Sequence, residues 1–440
     1  MMGPYLLTAF LLGIFVIPAF IAFRREEKDA RESLAAAQAA GRTEPVSIRP
    51  WVDPVACVGC GACVSACPEG KILRVIDGAA VVVEASSCIG HGACEAACPT
   101  GALDLVFGSE RRGVDIPAVG PDFESNVPGL YIAGELGGMG LIANAVEQGT
   151  QAVDNLSARP IERGAARWDL VIVGAGPAGI AAALVAKAKG LEVVILEQMT
   201  LGGAVCSYPR KKLVMSHGFE LPGVVKIPSG TMTKEELIAV FEQARPHLSL
   251  IEGEQVTAVT HGAHFTITTD KGSHTAARVI LAIGRRGTPR TLGVPGEEGS
   301  KKVAYALLEP EVYAFNHILV VGGGDSALEA ACSLSEAEGT TVTLSYRRAH
   351  ITRPKAKNIK RLEAAVSAGR INLLLSSTVT EILSDRVRLT QDDQELVLPN
   401  DQVFVFAGGV LPTKFLAAAG IRLERHHGKR IEELDTSALT

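Results

Sequence analysis

Two cysteine runs repeat in register between residues 57 and 99. Cys57, Cys60, Cys63 and Cys67 stand at C-x2-C-x2-C-x3-C spacing and close on Pro68. Cys88, His91, Cys94 and Cys98 repeat the pattern 31 residues later and close on Pro99. This is the spacing of iron–sulfur ligands, in which the fourth cysteine of each run serves the other run's cluster. No other feature constrains the fold as much, because each cluster has to be wrapped by both halves of the repeat. The exchange gives Cys57, Cys60, Cys63 and Cys98 to one cluster. It gives Cys88, Cys94 and Cys67 to the other, with position 91 as the fourth corner. A zinc site needs four ligands, whereas this stretch offers seven cysteines and a histidine. Three readings of His91 stay open. It is a neutral imidazole ligand, which raises the cluster potential; it marks the empty corner of a three-iron cluster; or it is a loop residue over a lost site.

Only Cys206 and Cys332 lie outside these runs, a usage that fits a reducing compartment rather than a disulfide framework. A net charge of −5 with no basic stripe excludes a nucleic-acid partner as a main function. At the start, Gly3 to Phe23 carries no charge and is followed by Arg24, Arg25, Lys28 and Arg31. The run is long enough to span a bilayer and lacks the basic start and small-residue cleavage site of a signal peptide. It reads as a single-pass anchor in the cell inner membrane. The positive charges behind it place the body in the cytoplasm. The charged, then Ala-rich stretch to Pro45 reads as a helical stalk or linker.

From Trp168 the pattern becomes strand, glycine turn, helix. The apolar strand Leu170 to Val173 leads into Gly174, Gly176 and Gly179, and a second strand from Val193 ends at Glu197. Gly174 makes the tight turn, Gly176 admits a pyrophosphate and Gly179 allows helix–strand packing. Glu197 accepts from a ribose hydroxyl, and the helix N-terminus faces the anion. Gly203, in the turn after it, joins these cofactor-binding positions. A second unit carries Gly322, Gly324 and Ala327, and its second strand, Thr341 to Leu344, runs into Ser345, Tyr346, Arg347 and Arg348. No acid stands there to repel a 2′-phosphate and two arginines are offered to it, which favours NADPH over NADH.

These paired fingerprints resemble the thioredoxin-reductase-like flavoproteins of the pyridine nucleotide-disulfide oxidoreductase superfamily, over Trp168 to about Leu423. The cysteine repeat resembles the bacterial two-cluster ferredoxins. The resemblance implies FAD in the first unit, NADPH in the second and a homodimer. There are three departures. The stretch Pro128 to Leu156 resembles the segment with which such proteins usually end, yet here it precedes the first glycine loop, as in a circular permutation. In that reading Gly134 and Glu135 contact the flavin chain and the helix from about Leu141 covers the ring. The stretch before the second loop has no C-x-x-C, and the stretch after Glu197 has only Cys206. Cys206 and Cys332 therefore read as small buried hydrophobes. His217, and His426 with His427, read as polar loop and tail residues.

The fold class that follows is α/β, with two Rossmann-like dinucleotide domains, an α+β dicluster ferredoxin domain and one N-terminal transmembrane helix. The expected division is an anchor at 1–24, a stalk at 25–50, the cluster domain at 51–107, the permuted segment at 108–160, an FAD domain at 165–297, an NAD(P)H domain at 298–395 and a return with tail at 396–440. The expected activity is electron transfer between NADPH, FAD and the clusters. No catalytic acid or base is required. The donor or acceptor stays open among a quinone, a cytochrome, a ferredoxin and a thiol. An NADPH-dependent thiol reductase and a membrane-bound redox sensor are the alternatives.

Overall fold

A computed structural model describes residues 3–428 except 46–47, 71, 112, 139, 286–287 and 353, without side chains at 3–12, 14–15, 215–217, 288–289, 356 and 410. The chain divides into two compact units, Met1–Val114 with His426–Thr440, and Asp115–Arg425.

In the first unit α1 (Gly3–Ala39) is one continuous helix. Its second half is not a free stalk. Ala30 and Ala37 are buried, Arg31 pairs with Glu27 one turn back and with Asp77, and the Asp77 N–H donates to Glu27 Oε1 at 3.3 Å. These contacts seat the helix on the hairpin of β2 (Leu73–Ile76) and β3 (Ala79–Val82), which turns at Asp77 and Gly78 with φ of 52° and 75°. Two left-handed residues are what a tight hairpin turn with the right strand twist needs. The apolar run Gly3–Phe23 forms the first half of α1, with most of its side chains outside the described residues. Among the described residues no helix is long and apolar enough to cross a membrane, so the expected anchor is not supported.

Four further elements belong to the unit. A strand pair, β1 (Ile48–Val52) and β4 (Leu103–Phe107), runs antiparallel and brackets the two cysteine runs. Two short helices, α2 (Ala62–Ala66) and α3 (Ala93–Ala96), follow Gly61 and Gly92, whose φ are 73° and 81°. The sequence repeat is thus a backbone repeat. Ile72, Leu73, Ala80 and Leu103 pack with Cys63 and Cys94 in its core.

The second unit begins with β5 (Val114–Pro117), β6 (Leu130–Ile132), α4 (Ile142–Ser157), β7 (Trp168–Val173), α5 (Pro177–Ala188) and β8 (Val193–Glu197). There follow a two-stranded ribbon of β9 (Leu213–Leu221) and β10 (Val225–Thr233), α6 (Lys234–Ala244), β11 (Leu250–Glu252), β12 (Val256–His261), β13 (Phe265–Thr269) and β14 (Ser273–Leu281). The sheet order is β11-β8-β7-β14-β13-β12, with β6 parallel to the end of β14. β7 and β8 are apolar without alternation because the sheet is covered on both faces. α5 is buried nearly all round, and α4 packs along it. The segment 128–156 therefore supplies a strand and a helix to this sheet, although it precedes the glycine loop in the chain.

A second dinucleotide-type layer follows the crossing strand β15 (Thr288–Pro289). It comprises β16 (Val303–Ala304), β17 (His317–Val321), α7 (Asp325–Leu334), β18 (Thr341–Tyr346), α8 (Ala356–Ser367), β19 (Ile371–Leu375), a meander of β20 (Ser377–Ile382), β21 (Arg386–Gln391) and β22 (Gln394–Pro399), and β23 (Gln402–Val405). The parallel order is β16-β23-β17-β18-β19. The return crossing comes later than the expected residue 396, since β22 and β23 still pair within this layer. It is made by β24 (Gly409–Val410), antiparallel to β15, before α9 (Thr413–Ala418) and β25 (Leu423–His426), which pairs with β5.

Candidate redox cofactor sites

The first glycine loop is shaped by two contacts and one opening. At Gly174, φ is 103° and an added Cβ would lie 2.6 Å from the Ala282 carbonyl oxygen at the end of β14; at Gly179 it would lie 1.9 Å from the Gly174 oxygen. At Gly176 nothing comes within 4 Å, so a side chain there would fill open space directly before the first turn of α5. That is the space a pyrophosphate needs to reach the backbone N–H groups. Glu197 is buried and braces the loop. Its Oε2 accepts from the Ala175 N–H at 2.7 Å and its Oε1 from the Met199 N–H at 2.8 Å. Four lone-pair directions leave capacity for a ribose hydroxyl as well. Gly203 packs against the loop, where an added Cβ would lie 3.2 Å from Gly176 Cα, so its lack of a side chain serves packing.

The segment from 128 reaches the same corner. The Gly134 N–H donates to Gln148 Oε1 at 2.8 Å, and Glu135 begins the turn leading to α4. At Gly149 an added Cβ would lie 2.1 Å from the Ala178 carbonyl oxygen in the first turn of α5. Only a glycine lets the two helices come this close.

The second loop repeats the geometry. At Gly322, φ is 145° and an added Cβ would meet the Phe406 oxygen at 2.5 Å and Ala327 Cβ at 3.1 Å, while Gly324 again faces open space at the start of α7. β18 extends two residues beyond the expected Leu344, so Ser345 and Tyr346 are buried strand residues and Arg347 and Arg348 are the first exposed ones. The Tyr346 ring lies against Gly323, 2.3 Å from where a Cβ would be. Ser345 is spent on a hydroxyl pair with Ser377 at 2.7 Å.

A polar chain beside this loop escaped the sequence reading. Asp325 Oδ1 accepts from the Lys355 N–H at 2.9 Å and from Asn358 Nδ2 at 2.6 Å. Asn358 Nδ2 also reaches Glu329 Oε1 at 3.0 Å. Glu329 Oε2 accepts from Lys212 Nζ at 3.2 Å, and that ammonium lies 4.9 Å from the centre of the Tyr208 ring. Asp325 and Glu329 are one helical turn apart, which was legible; their partners 30 residues on were not.

The eight candidate ligand positions separate into two cavities. Cys57, Cys60, Cys63 and Cys98 line the first, with Gly59, Gly61 and Ala80. Cys67, Cys88, Cys94 and His91 line the second, with Glu69, Ile72 and Leu105. Backbone N–H groups point at several of these side chains: Ala80 to Cys57 Sγ at 3.4 Å, Ala102 to Cys98 Sγ at 3.3 Å, Gly90 to Cys88 Sγ at 3.5 Å and Ala93 to His91 Nδ1 at 3.4 Å. Burial pushes Cys88 and Cys94 up to about 11 and raises Cys63, so their thiolates need a cation for company. Cys98 moves the other way, lowered by the Thr100 hydroxyl. Among the described residues no three His, Cys, Asp or Glu side chains converge as a single metal ion requires.

Neither remaining thiol is among the residues lining these cavities. Cys206 Sγ donates to the Leu201 carbonyl at 2.9 Å and burial raises it; Cys332 is 2% exposed on α7. The side chain of His217 lies outside the described residues. The His426 ring meets Phe107 edge-on at 5.9 Å.

Residues 171–440 match the family described as pyridine nucleotide-disulphide oxidoreductase, and residues 49–99 match a 4Fe-4S dicluster domain. The ferredoxin–NADP reductase of Ignicoccus hospitalis is 31% identical over 248 residues, 54% of this chain and 76% of its own length. That of Thermus thermophilus is 32% identical over 287 residues, 62% of this chain and 81% of its own. The solved bacillithiol disulfide reductase Bdr of Bacillus cereus superposes with a TM-score of 0.52 at 27% identity, over 58% of this chain and 82% of that one.

Proposed function

The chain belongs to the pyridine nucleotide-disulphide oxidoreductase family and carries a 4Fe-4S dicluster domain, and from this we propose that it moves electrons between NADPH and a one-electron carrier of the ferredoxin class. It is a FAD-dependent oxidoreductase with an iron–sulfur domain. Bound flavin supplies the exchange between a hydride, which carries two electrons, and the single electrons that clusters accept.

The protein's own part is to bind, orient and exclude water. Gly176 and the first turn of α5 receive the FAD pyrophosphate, with Glu197 holding the loop closed behind it. Gly134, Glu135 and α4 border the flavin chain. Gly324 and α7 receive the NADPH pyrophosphate, and Arg347 and Arg348 take its 2′-phosphate. Cys57, Cys60, Cys63 and Cys98 hold one cluster, and Cys67, Cys88 and Cys94 hold the other. All these residues come from one chain, so the reading needs no second copy. Each hydride passed on as two single electrons also releases one proton, for which no side chain is assigned.

The observation that carries this reading is the exchange of Cys98 and Cys67 between the cavities, since two independent metal sites would each use their own run. The thiol-reductase alternative lacks a dithiol: Cys206 is tied to a carbonyl and Cys332 is buried in another layer. The test is an anaerobic NADPH titration followed by visible absorption and EPR. Flavin bleaching followed by cluster signals is the expected result. Bleaching with silent clusters, together with disulfide reduction abolished in Cys206→Ala, would move the thiol reading to the front. No turnover with any one-electron acceptor would favour a sensor.

A further inference from the structure

We infer that the second cavity holds a cluster bound by three thiolates alone, with His91 beside its open corner as a hydrogen-bond donor and not as a ligand. This deepens the two-cluster reading and rests on it. The cavity offers Cys67, Cys88 and Cys94 where its twin offers four cysteines. The question is whether the imidazole makes up the difference.

The backbone answers it. Gly92, at φ 81°, turns the chain into α3 as Gly61, at φ 73°, turns it into α2. That turn directs the Ala93 N–H at His91 Nδ1, 3.4 Å away. A cysteine in this place tolerates such a bond, because a thiolate sulfur has lone pairs for both an N–H and an iron; Cys88 Sγ accepts from the Gly90 N–H in the same manner. An imidazole nitrogen has one in-plane lone pair. With Nδ1 engaged by Ala93, it has none for iron, and the neutral ring carries its proton on Nε2, which makes Nε2 a donor. Ligation through Nε2 would put the proton on Nδ1, where it would face the Ala93 N–H head-on. The local backbone that suits a cysteine at this position is therefore the one that disfavours a histidine ligand. The carboxylate of Glu69 also borders the cavity. As a hard oxygen donor it is a poorer match to a sulfide-rich iron centre than a thiolate.

The experiment uses the full chain, purified and handled without oxygen. Iron content and EPR are measured on the oxidised wild type, on His91→Ala and on His91→Cys. A three-iron cluster is paramagnetic when oxidised, whereas a four-iron cluster in its usual oxidised state is silent. The wild type and His91→Ala should both show the three-iron signal, with about seven iron atoms per chain. His91→Cys should lose the signal and rise to about eight. A wild type with about eight iron atoms, no three-iron signal and nitrogen coupling from an imidazole overturns the inference and leaves the two-cluster reading standing. About eight iron atoms without nitrogen coupling also overturns it, in favour of Glu69 or solvent as the fourth ligand. A three-iron signal that His91→Cys leaves untouched shows that the open corner is elsewhere. Failure of the wild type to bind iron at all removes the two-cluster reading itself.

Discussion

The close crossing of α4 and α5 gives a sharp test of whether the segment ahead of the glycine loop belongs to the flavin layer. In Gly149→Ala the new methyl would lie 2.1 Å from the Ala178 carbonyl oxygen and 3.1 Å from Ala178 Cα. Ordinary contact requires a separation larger by about 1 Å. The obstacle is backbone, so no rotamer can move away. Instead α4 has to shift, and it carries Ala145, Val146, Ala152, Val153 and Leu156 into the shared core. Overpacking of this kind costs about 1–3 kcal/mol. The same substitution in a free helix would gain about 0.5–1 kcal/mol in backbone propensity, which offsets part of the clash and leaves a net loss of up to about 2.5 kcal/mol. For a unit this large that is a fall of up to roughly 5 °C in melting temperature. The displaced carbonyl lies in the first turn of α5, so FAD should also be lost more readily. Thermal unfolding and flavin content of the purified variant measure both. Gly230→Ala, where nothing lies within 4 Å and φ is not positive, is the control and should change little. A Gly149→Ala protein as stable as wild type, with full flavin, would refute the seating of α4 on α5.

Three further outcomes follow from other parts of the structure. Arg347→Ala with Arg348→Ala should raise KM for NADPH by about 10–100-fold, the worth of hydrogen bonds to a charged group, while KM for NADH stays put; steady-state kinetics with both nucleotides decide it. Asn358→Ala removes the amide that ties Asp325 and Glu329 to the start of α8, at 2.6 and 3.0 Å, and should raise KM for NADPH several-fold with kcat retained. A fall in kcat alone would mean that the chain of contacts through Lys212 sets the orientation of the two layers instead. Bonds from His274 and Thr269 hold the buried Glu254 carboxyl below its ordinary value of 4.5. A depressed carboxyl stabilises the fold above its unfolded pKa and loses that contribution as pH falls through the folded value. The stability gap between wild type and Glu254→Gln, read by denaturant unfolding, should therefore be full at neutral pH and close as pH drops below about 4.5; a gap that widens in acid refutes the assignment.

What was legible in the chain and what was not divides along physical lines. The grouping of the cysteines was legible because short spacings within each repeat leave few ways to arrange them, and Cys98 lines the cavity of the first run while Cys67 lines that of the second. The glycine loops were legible because each glycine answers a steric demand a few residues away, as between Gly179 and the Gly174 oxygen. Features that depend on distant partners were not. The seating of α1 rests on Arg31 meeting Asp77, 46 residues on, and nothing in a charged, Ala-rich stretch announces that meeting. Glu197 was expected to serve a ribose, and it also braces two turns of its own chain, a task visible only once Ala175 and Met199 are placed. The return crossing was set too early because β22 and β23 have the same alternating and apolar patterns that a strand of either layer would have. His91 is the informative intermediate case. The repeat put it at a cluster corner, but residue type alone left three readings open: a ligand, an empty corner and a loop residue. The deciding atom is a main-chain N–H that every sequence possesses, and its direction comes from a left-handed glycine next door. Where the choice between two chemistries rests on one lone pair, sequence narrows the question to a residue and the backbone decides it.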